Sequence, residues 1–265
     1  MKEKETAILY RTHSGENSAP RPSWYSKELC LKSILLSYEL LKQEVPSSFT
    51  LLFDGQLNSH DEWSKTLKRF VEPRGLIIES QHQGNVESTI NAVYRASEKP
   101  EQSVVVLAED DYLWLAPALV GLHHVLTELP VHYATAYDHP VRYQPDYPKG
   151  ADYPHWHNTI YITSGRHWRT QESTCMTFAS TPRTLREDLV YFEKYKDNGK
   201  GRPEDRELFR EMQGLGEYSN KDANHPRILV GPIPSLATHA HLPWLAPLVD
   251  WENEVRRIHE RKLRQ

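Results

Sequence analysis

Residues 103–112 read Ser-Val-Val-Val-Leu-Ala-Glu-Asp-Asp-Tyr. Val104 to Ala108 is a short, continuous apolar run rich in β-branched residues, the pattern of a strand covered on both faces. It runs straight into three carboxylates, Glu109, Asp110 and Asp111. In open α/β sheets, ligands gather outside the carboxyl ends of such strands. Three adjacent acids repel one another, and a hard divalent ion such as Mg²⁺ or Mn²⁺ would offset that repulsion. Such ions take oxygen from one or two carboxylates and complete their shell with phosphate oxygens. For the triplet alone two readings stand: a metal held against a diphosphate, or an acidic turn that caps a helix beginning near Pro117.

Upstream of this strand the chain alternates in period. Ala7–Thr12 reads as a strand, and Ser26 to Gln43 as a helix with Cys30, Ile34, Tyr38 and Leu41 on one face. Phe49–Phe53 is a second strand ended by Asp54-Gly55, Asp61 to Val71 a helix, and Leu76–Ile78 a third strand. Asn85 to Ala96 then leads as a helix into the acidic strand. Repeated βα units of this length predict an α/β fold with a mostly parallel central sheet and helices on both faces.

Downstream the pattern is more irregular. Val131–Tyr137, Thr159–Thr163, Cys175–Ala179, Ile228–Val230 and Ser235–His239 are predicted as strands, and Thr184 to Tyr195 as a helix. From Asp138 to His157 the chain is dense in Pro, Tyr, His and Trp, a structured loop or lid rather than a disordered tract. One domain over 1–265 is expected, with a regular first half to about 115, a less regular second half over about 116–245, and a helical tail over 246–265.

Bulk properties narrow the function classes. The 265 residues carry a formal charge of −4, which argues against a surface coated in basic residues for nucleic acid. Arg256, Arg257, Arg261, Lys262 and Arg264 cluster in the tail, either as a solvated helix or as a polyanion contact. Cys30 and Cys175 cannot build a disulfide framework or a cysteine metal cage. No apolar stretch is long enough to span a bilayer, and the N-terminus leads directly into a strand. The expectation is a cytoplasmic protein without a secretory signal.

Two later motifs carry chemistry. Gly201-Arg202-Pro203-Glu204-Asp205 opens a helix, with Pro203 suited to a first helical position and acids that complement the dipole. Helix capping explains the acids equally well. Thr238-His239-Ala240-His241 would place both imidazoles on one face of a strand, as ligands or as structural histidines.

In order and spacing these pieces resemble the nucleotide-sugar-dependent glycosyltransferases of the GT-A fold, family 2 in particular, over roughly residues 7–241. Glu109-Asp110-Asp111 looks like that family's acidic Asp-x-Asp motif, with Glu in place of the first Asp. Glu204-Asp205 looks like its acid pair, His239 or His241 like its terminal metal ligand, and Gly84 through Asn91 like its glycine-to-asparagine stretch. The resemblance implies Mn²⁺ or Mg²⁺ on Asp111 with His239 or His241. It implies a nucleotide-sugar donor, a UDP-sugar favoured, near Tyr10, Arg11, Thr12, Asp54, Asn91, Glu109 and Asp110.

It also implies transfer to an acceptor hydroxyl, with Asp205 as general base of an inverting displacement and Glu204 beside it. In a retaining enzyme Asp205 would instead orient the acceptor. Tyr143, Tyr147, Tyr153, His155 and Trp156, or Arg166, Trp168 and Arg169, are expected to face the acceptor or to pack the loop. The acceptor could be a glycan, a small metabolite or a hydroxymethylated base in DNA. The competing readings are a related nucleotidyltransferase, a non-catalytic binding module and a metallohydrolase. Arg11 to Glu16 makes a poor nucleotidyltransferase loop, both acidic motifs survive, and His-x-His comes late for a hydrolase.

Overall fold

The structure is a computed structural model and describes residues 4–57, 61–81, 83–143, 158–163, 165–218 and 226–263. Four strands make its parallel half: β1 (Thr6–His13), β2 (Ser47–Asp54), β3 (Ile77–Gln81) and β4 (Val104–Glu109), in spatial order β3-β2-β1-β4. Helices α1 (Lys27–Leu41), α2 (Glu62–Val71) and α3 (Gly84–Ser97) connect them. Two of these helices start at built caps. Ser26 is extended and its side chain accepts the Leu29 N–H; Asp61 does the same for Ser64.

The alternating side chains of β1 explain why the strand reads as continuously apolar. Ile8 and Tyr10 enter a core shared with Ile34 and Leu35 of α1, while Ala7 and Leu9 enter a second core with Ile90 and Val93 of α3. β4 does the same with Val104 and Val106 on one face and Val105 and Leu107 on the other. Each fully buried aliphatic side chain contributes about 1.5–3 kcal/mol relative to exposure. The sheet is therefore held from both sides, and its strand ends are fixed in register. Arg11 lies opposite Glu109, and His13 opposite Asp54.

Beyond β4 the sheet continues in another style. β9 (Phe178–Ser180) runs antiparallel to β4 and to β6 (Tyr133–Ala134); β6 is parallel to β10 (Leu229–Ile233). β8 (Arg166–Thr170) and β7 (Ile160–Thr163) close the far edge as an antiparallel pair. Among the described residues this sheet has nine strands, and β8 and β9 run against the rest, so the sheet is mostly parallel. Helices α4 (Ala118–Glu128), α5 (Pro182–Lys194), α6 (Asp205–Gln213) and α7 (Trp251–Glu260) complete the described elements. Among the described residues no helix is long and apolar enough to cross a membrane.

Three expectations change. The strand expected over Val131–Tyr137 narrows to Tyr133–Ala134, and only Tyr137 makes a further bridge, to Ala237. The strand expected over Ser235–His239 is β11 (Ala237–His239), which leaves the main sheet and pairs antiparallel with β5 (Tyr112–Trp114). The acidic triplet does not cap the following helix: α4 begins after Pro117 with no side-chain cap. Instead the triplet is the hinge between β4 of the large sheet and β5 of the small one.

Candidate active site

The carboxyl ends of β1, β2 and β4 open into a cavity of about 1220 Å³. The start of α3, the segment leading into α6, His239 and Trp244 complete its lining. Arg11, Thr12, Asp54, Glu109, Asp110 and Asp111 all line it, as do Glu204 and Asp205. The strand ends and the later acid pair, about a hundred residues apart in sequence, thus face one space.

Each acid of the triplet has a protein cation beside it. Arg11 Nη2 lies 2.5 Å from Glu109, Lys27 Nζ 2.9 Å from Asp110, and Arg21 Nη2 3.1 Å from Asp111. Thr12 Oγ1 adds a 2.5 Å hydrogen bond to Asp110 and itself accepts one from Trp63 Nε1. Mutual repulsion is therefore offset within the chain, so it is not by itself an argument for a metal. Pairs this enclosed matter chiefly when broken: removing one partner of a buried pair costs about 3–5 kcal/mol. Burial raises the Glu109 carboxyl even against Arg11. For Asp111 burial pushes the same way, yet the His239 and Arg21 bonds win and hold it well below the usual carboxylate range. His239 rises in turn, burial opposing and the Asp111 bond prevailing.

The small sheet sets this corner. In the β5–β11 register His239 pairs with Tyr112, and its ring stacks on the Tyr112 ring at 5.1 Å and 8°. Nε2 is thereby presented to Asp111 Oδ2 at 3.0 Å. Adjacent ligands about an octahedral Mg²⁺ or Mn²⁺ are themselves roughly 3 Å apart. One carboxylate oxygen and one imidazole nitrogen at that spacing, open to a large cavity, fit such an ion. Among the described residues no cluster of three His, Cys, Asp or Glu could hold one alone. The remaining positions would fall to phosphate oxygens and water, as hard divalent ions prefer. His241 departs from the expectation that both imidazoles share a strand face. β11 ends at His239, and the His241 ring turns edge-on to His239 at 5.6 Å, outside the cavity lining.

Asp205 opens α6 and accepts the Arg206 N–H at 2.8 Å on Oδ1. It is half-buried on the cavity wall. Burial, with the nearby Glu109 charge, raises its carboxyl to about 6. Glu204 is exposed at the N-cap with no capping bond from its side chain, which leaves that carboxylate facing the cavity. The approach is a tight loop in which Gly199 and Gly201 take φ of 76° and 73°, where a Cβ would be strained. Their N–H groups both donate to Asp197 Oδ1. Asn85 ties this loop to the triplet, since its Nδ2 donates to Gly201 O at 2.8 Å and its Oδ1 accepts from Arg11 at 2.9 Å.

Other expected residues lie elsewhere. Tyr10 is fully buried and packs on Phe49 at 5.9 Å, because its position on β1 points into the core. Asn91 sits six positions along α3 from Asn85 and does not line the cavity; Asn85 does. Asp54 Oδ1 accepts the N–H groups of Gln83 and Gly84 at 3.0 and 3.3 Å, anchoring the start of α3. Trp168 is fully buried with Nε1 on Thr163, Arg169 binds Asp138 at 2.7 Å, and the half-buried Arg166 reaches Pro234 O; none of the three lines the cavity. Tyr143 donates to Asp138 and lies under Arg169. Tyr147, Tyr153, His155 and Trp156 lie outside the described residues. The tail forms α7, where Arg257 pairs with Glu254 at 2.5 Å and Arg256 bonds Asn253. Sequence reasoning missed Arg21, Lys27, Asn85 and Trp244, single residues in a loop, at helix starts or in a short turn, which leave no periodic signal.

No family model matches the chain, and no curated protein matches it in sequence. Among solved structures it is similar to GalNAc-T7, crystallised with UDP, GalNAc and Mn²⁺. The TM-score is 0.55 at 9% identity, over 89% of this chain and 43% of that one. Two structures of Staphylococcus aureus TarS overlap less closely. For residues 1–349 the TM-score is 0.43 at 12% identity, over 87% of this chain and 58% of that one. For the other it is 0.44 at 14% identity, over 87% and 35%. The chain thus spans between about a third and three-fifths of the length of the structures it resembles. The fold is that of the GT-A glycosyltransferases.

Proposed function

We propose that this chain, built on the GT-A fold, is a metal-dependent glycosyltransferase. It moves a sugar from a nucleoside-diphosphate donor, a UDP-sugar in first place, to an acceptor hydroxyl. One observation carries the reading: the Asp111–His239 corner and the Asp205 carboxyl line one cavity. The structural neighbour crystallised with UDP and Mn²⁺ lends support.

Asp111 and His239 would hold Mn²⁺ or Mg²⁺, which when bound supplies positive charge to a leaving diphosphate. Arg11, Thr12, Asp54, Glu109 and Asp110 surround the donor side of the cavity. Arg11, already fixed by Glu109 and Asn85, is placed to fix donor oxygens without reorganising. Asp205 takes the acceptor's proton on the carboxylate oxygen that does not hold the Arg206 N–H. The acceptor oxygen forms its bond to the anomeric carbon as the bond to the diphosphate breaks, inverting configuration. A carboxyl near 6 is mostly ionised at neutral pH yet is a stronger base than an ordinary aspartate, the compromise that general-base catalysis favours. Glu204 would bind a neighbouring acceptor hydroxyl, and the half-buried Trp244 ring offers a face to a sugar. That lining suits a glycan or small-metabolite acceptor.

The test is turnover. Incubating the protein with UDP-, GDP- and TDP-sugars, Mn²⁺ and simple glycoside acceptors should release the nucleoside diphosphate from one donor. Proton NMR should then show an inverted anomeric centre. Release with retention would remove Asp205 from the base role, and absence of release from every donor counts against the assignment.

A further inference from the structure

Arg21 lies in the loop between β1 and α1, between Pro20 and Pro22. Its guanidinium is fixed from several sides. Nη1 donates to Ala240 O at 2.8 Å, Nη2 to Asn17 Oδ1 at 2.9 Å, and the group stacks 4.3 Å over the Tyr25 ring. The loop itself is pinned to the His239 segment by the Leu242 N–H on Pro20 O. Nη2 also reaches Asp111 Oδ2 at 3.1 Å, the same oxygen that His239 Nε2 meets at 3.0 Å.

Two nitrogens thus converge on the single carboxylate oxygen that the proposed metal corner would use. A cation bound at Oδ2 would share that oxygen with the Arg21 guanidinium, and like-charge repulsion would weaken the Arg21 bond. The Arg21 site is also incompletely satisfied: Nε is buried with no hydrogen-bond partner among the described residues. Yielding Asp111 would not strip Nη2 of every partner, because Asn17 Oδ1 accepts from the same nitrogen.

We propose that Arg21 is the resident counter-cation of Asp111, and that a divalent metal must compete with it for Oδ2. Arg21 thereby sets how weakly the donor-free protein binds metal. The inference rests on the metal-dependent reading above. It assigns Arg21 a positioning role, holding Asp111 in place until the metal displaces it. The three cations on the acidic triplet are then not equivalent. Arg11 and Lys27 hold Glu109 and Asp110, outside the corner that Asp111 forms with His239.

The experiment is Mn²⁺ titration of the donor-free protein, followed by the electron spin resonance signal of free Mn²⁺, with thermal melts as a folding control. Arg21→Gln should tighten Mn²⁺ binding about tenfold, the order expected when one charge-assisted hydrogen bond to the same oxygen is removed. Asn17→Ala, which keeps the guanidinium but removes the anchor that holds Nη2 against Asp111, should tighten binding by a smaller factor and guards against misfolding of the first variant. Asp111→Asn should abolish binding in every background. If wild type binds Mn²⁺ and both variants bind it with equal or lower affinity, the role assigned to Arg21 is wrong. If no form binds Mn²⁺ even with UDP present, the metal reading itself fails and takes this inference with it.

Discussion

His239 Nε2 lies 3.0 Å from Asp111 Oδ2, although 128 positions separate the two residues in the chain. The contact is made by the small β5–β11 sheet, whose pairing of His239 with Tyr112 sets the imidazole beside the last acid of the triplet. A two-stranded sheet of three residues per strand is a slight element by itself. Its position is secured by Leu113, Trp114, Leu236 and Ala237, all fully or almost fully buried in the main core. The geometry of the corner is thus a product of packing, and it yields measurable consequences.

His239→Ala should weaken Mn²⁺ binding by about tenfold to a hundredfold, the range seen when a metal site loses a supporting group. His241→Ala, which removes a ring outside the cavity, should change it by less than about twofold. Titration of both variants with Mn²⁺ in the presence of UDP decides the point. Equal losses would mean that both imidazoles serve.

Asp205→Asn should lower kcat by about 10²–10⁴-fold while leaving donor affinity within about twofold, because the carboxylate acts on the acceptor proton. In the wild type, kcat/KM should fall on the acid side with an apparent pKa about 6, the value to which burial raises this group. The measurement is a pH–rate profile with saturating metal. An acid limb near 4 would remove Asp205 as the titrating base.

The same shift has a stability consequence of definite sign. The folded-state carboxyl lies near 6 and an unfolded aspartate near about 3.9, so the folded state binds the proton more tightly. Wild-type stability is therefore lost through this group as pH rises from about 4 to about 6, and the loss is complete above that window. Asp205→Asn removes the charge, so it should raise Tm at pH 7–8 and leave it unchanged near pH 4. Calorimetric melts at the two pH values measure the difference, and a variant less stable at both would contradict the burial argument.

Asn85→Ala should loosen the loop that carries Asp205. Asn85 joins Gly201 O to Arg11; the loop is otherwise held by bonds to Asp197 and Asn198, by Asn198 N–H on Arg202 O and by Glu204 N–H on Tyr195 O. Hydrogen exchange at residues 198–202 should speed up while the sheet is unaffected, and KM for the donor should rise about tenfold. Unchanged exchange would show that the glycine loop holds itself.

The parallel half of the fold was legible in sequence because strands buried on both faces and amphipathic helices leave strong patterns. Val104–Leu107 illustrates the first, and α2, with Leu67 and Val71 buried and Lys65 and Arg69 exposed, the second. The acid clusters were legible for a related reason, since charges at the end of an apolar run stand out. What escaped was set by tertiary contact. Tyr10 reads like a residue at a strand's ligand end, yet the pleat turns it into the core. His239 and His241 look equivalent until β11 ends between them. Arg21 and Lys27 are single basic residues in and after a loop, and only folding brings them onto Asp111 and Asp110. The short strands past β4 hold only two to five residues each, too few for a period to declare itself.

The central claim is a donor site that needs both a diphosphate and a metal. Calorimetric titration with UDP, GDP and TDP, each with and without Mn²⁺, tests it most directly. One diphosphate, UDP first, should bind tightly only with Mn²⁺, and Asp111→Ala should abolish the binding without unfolding the protein. A folded protein that binds none of the diphosphates, with or without metal, would contradict it.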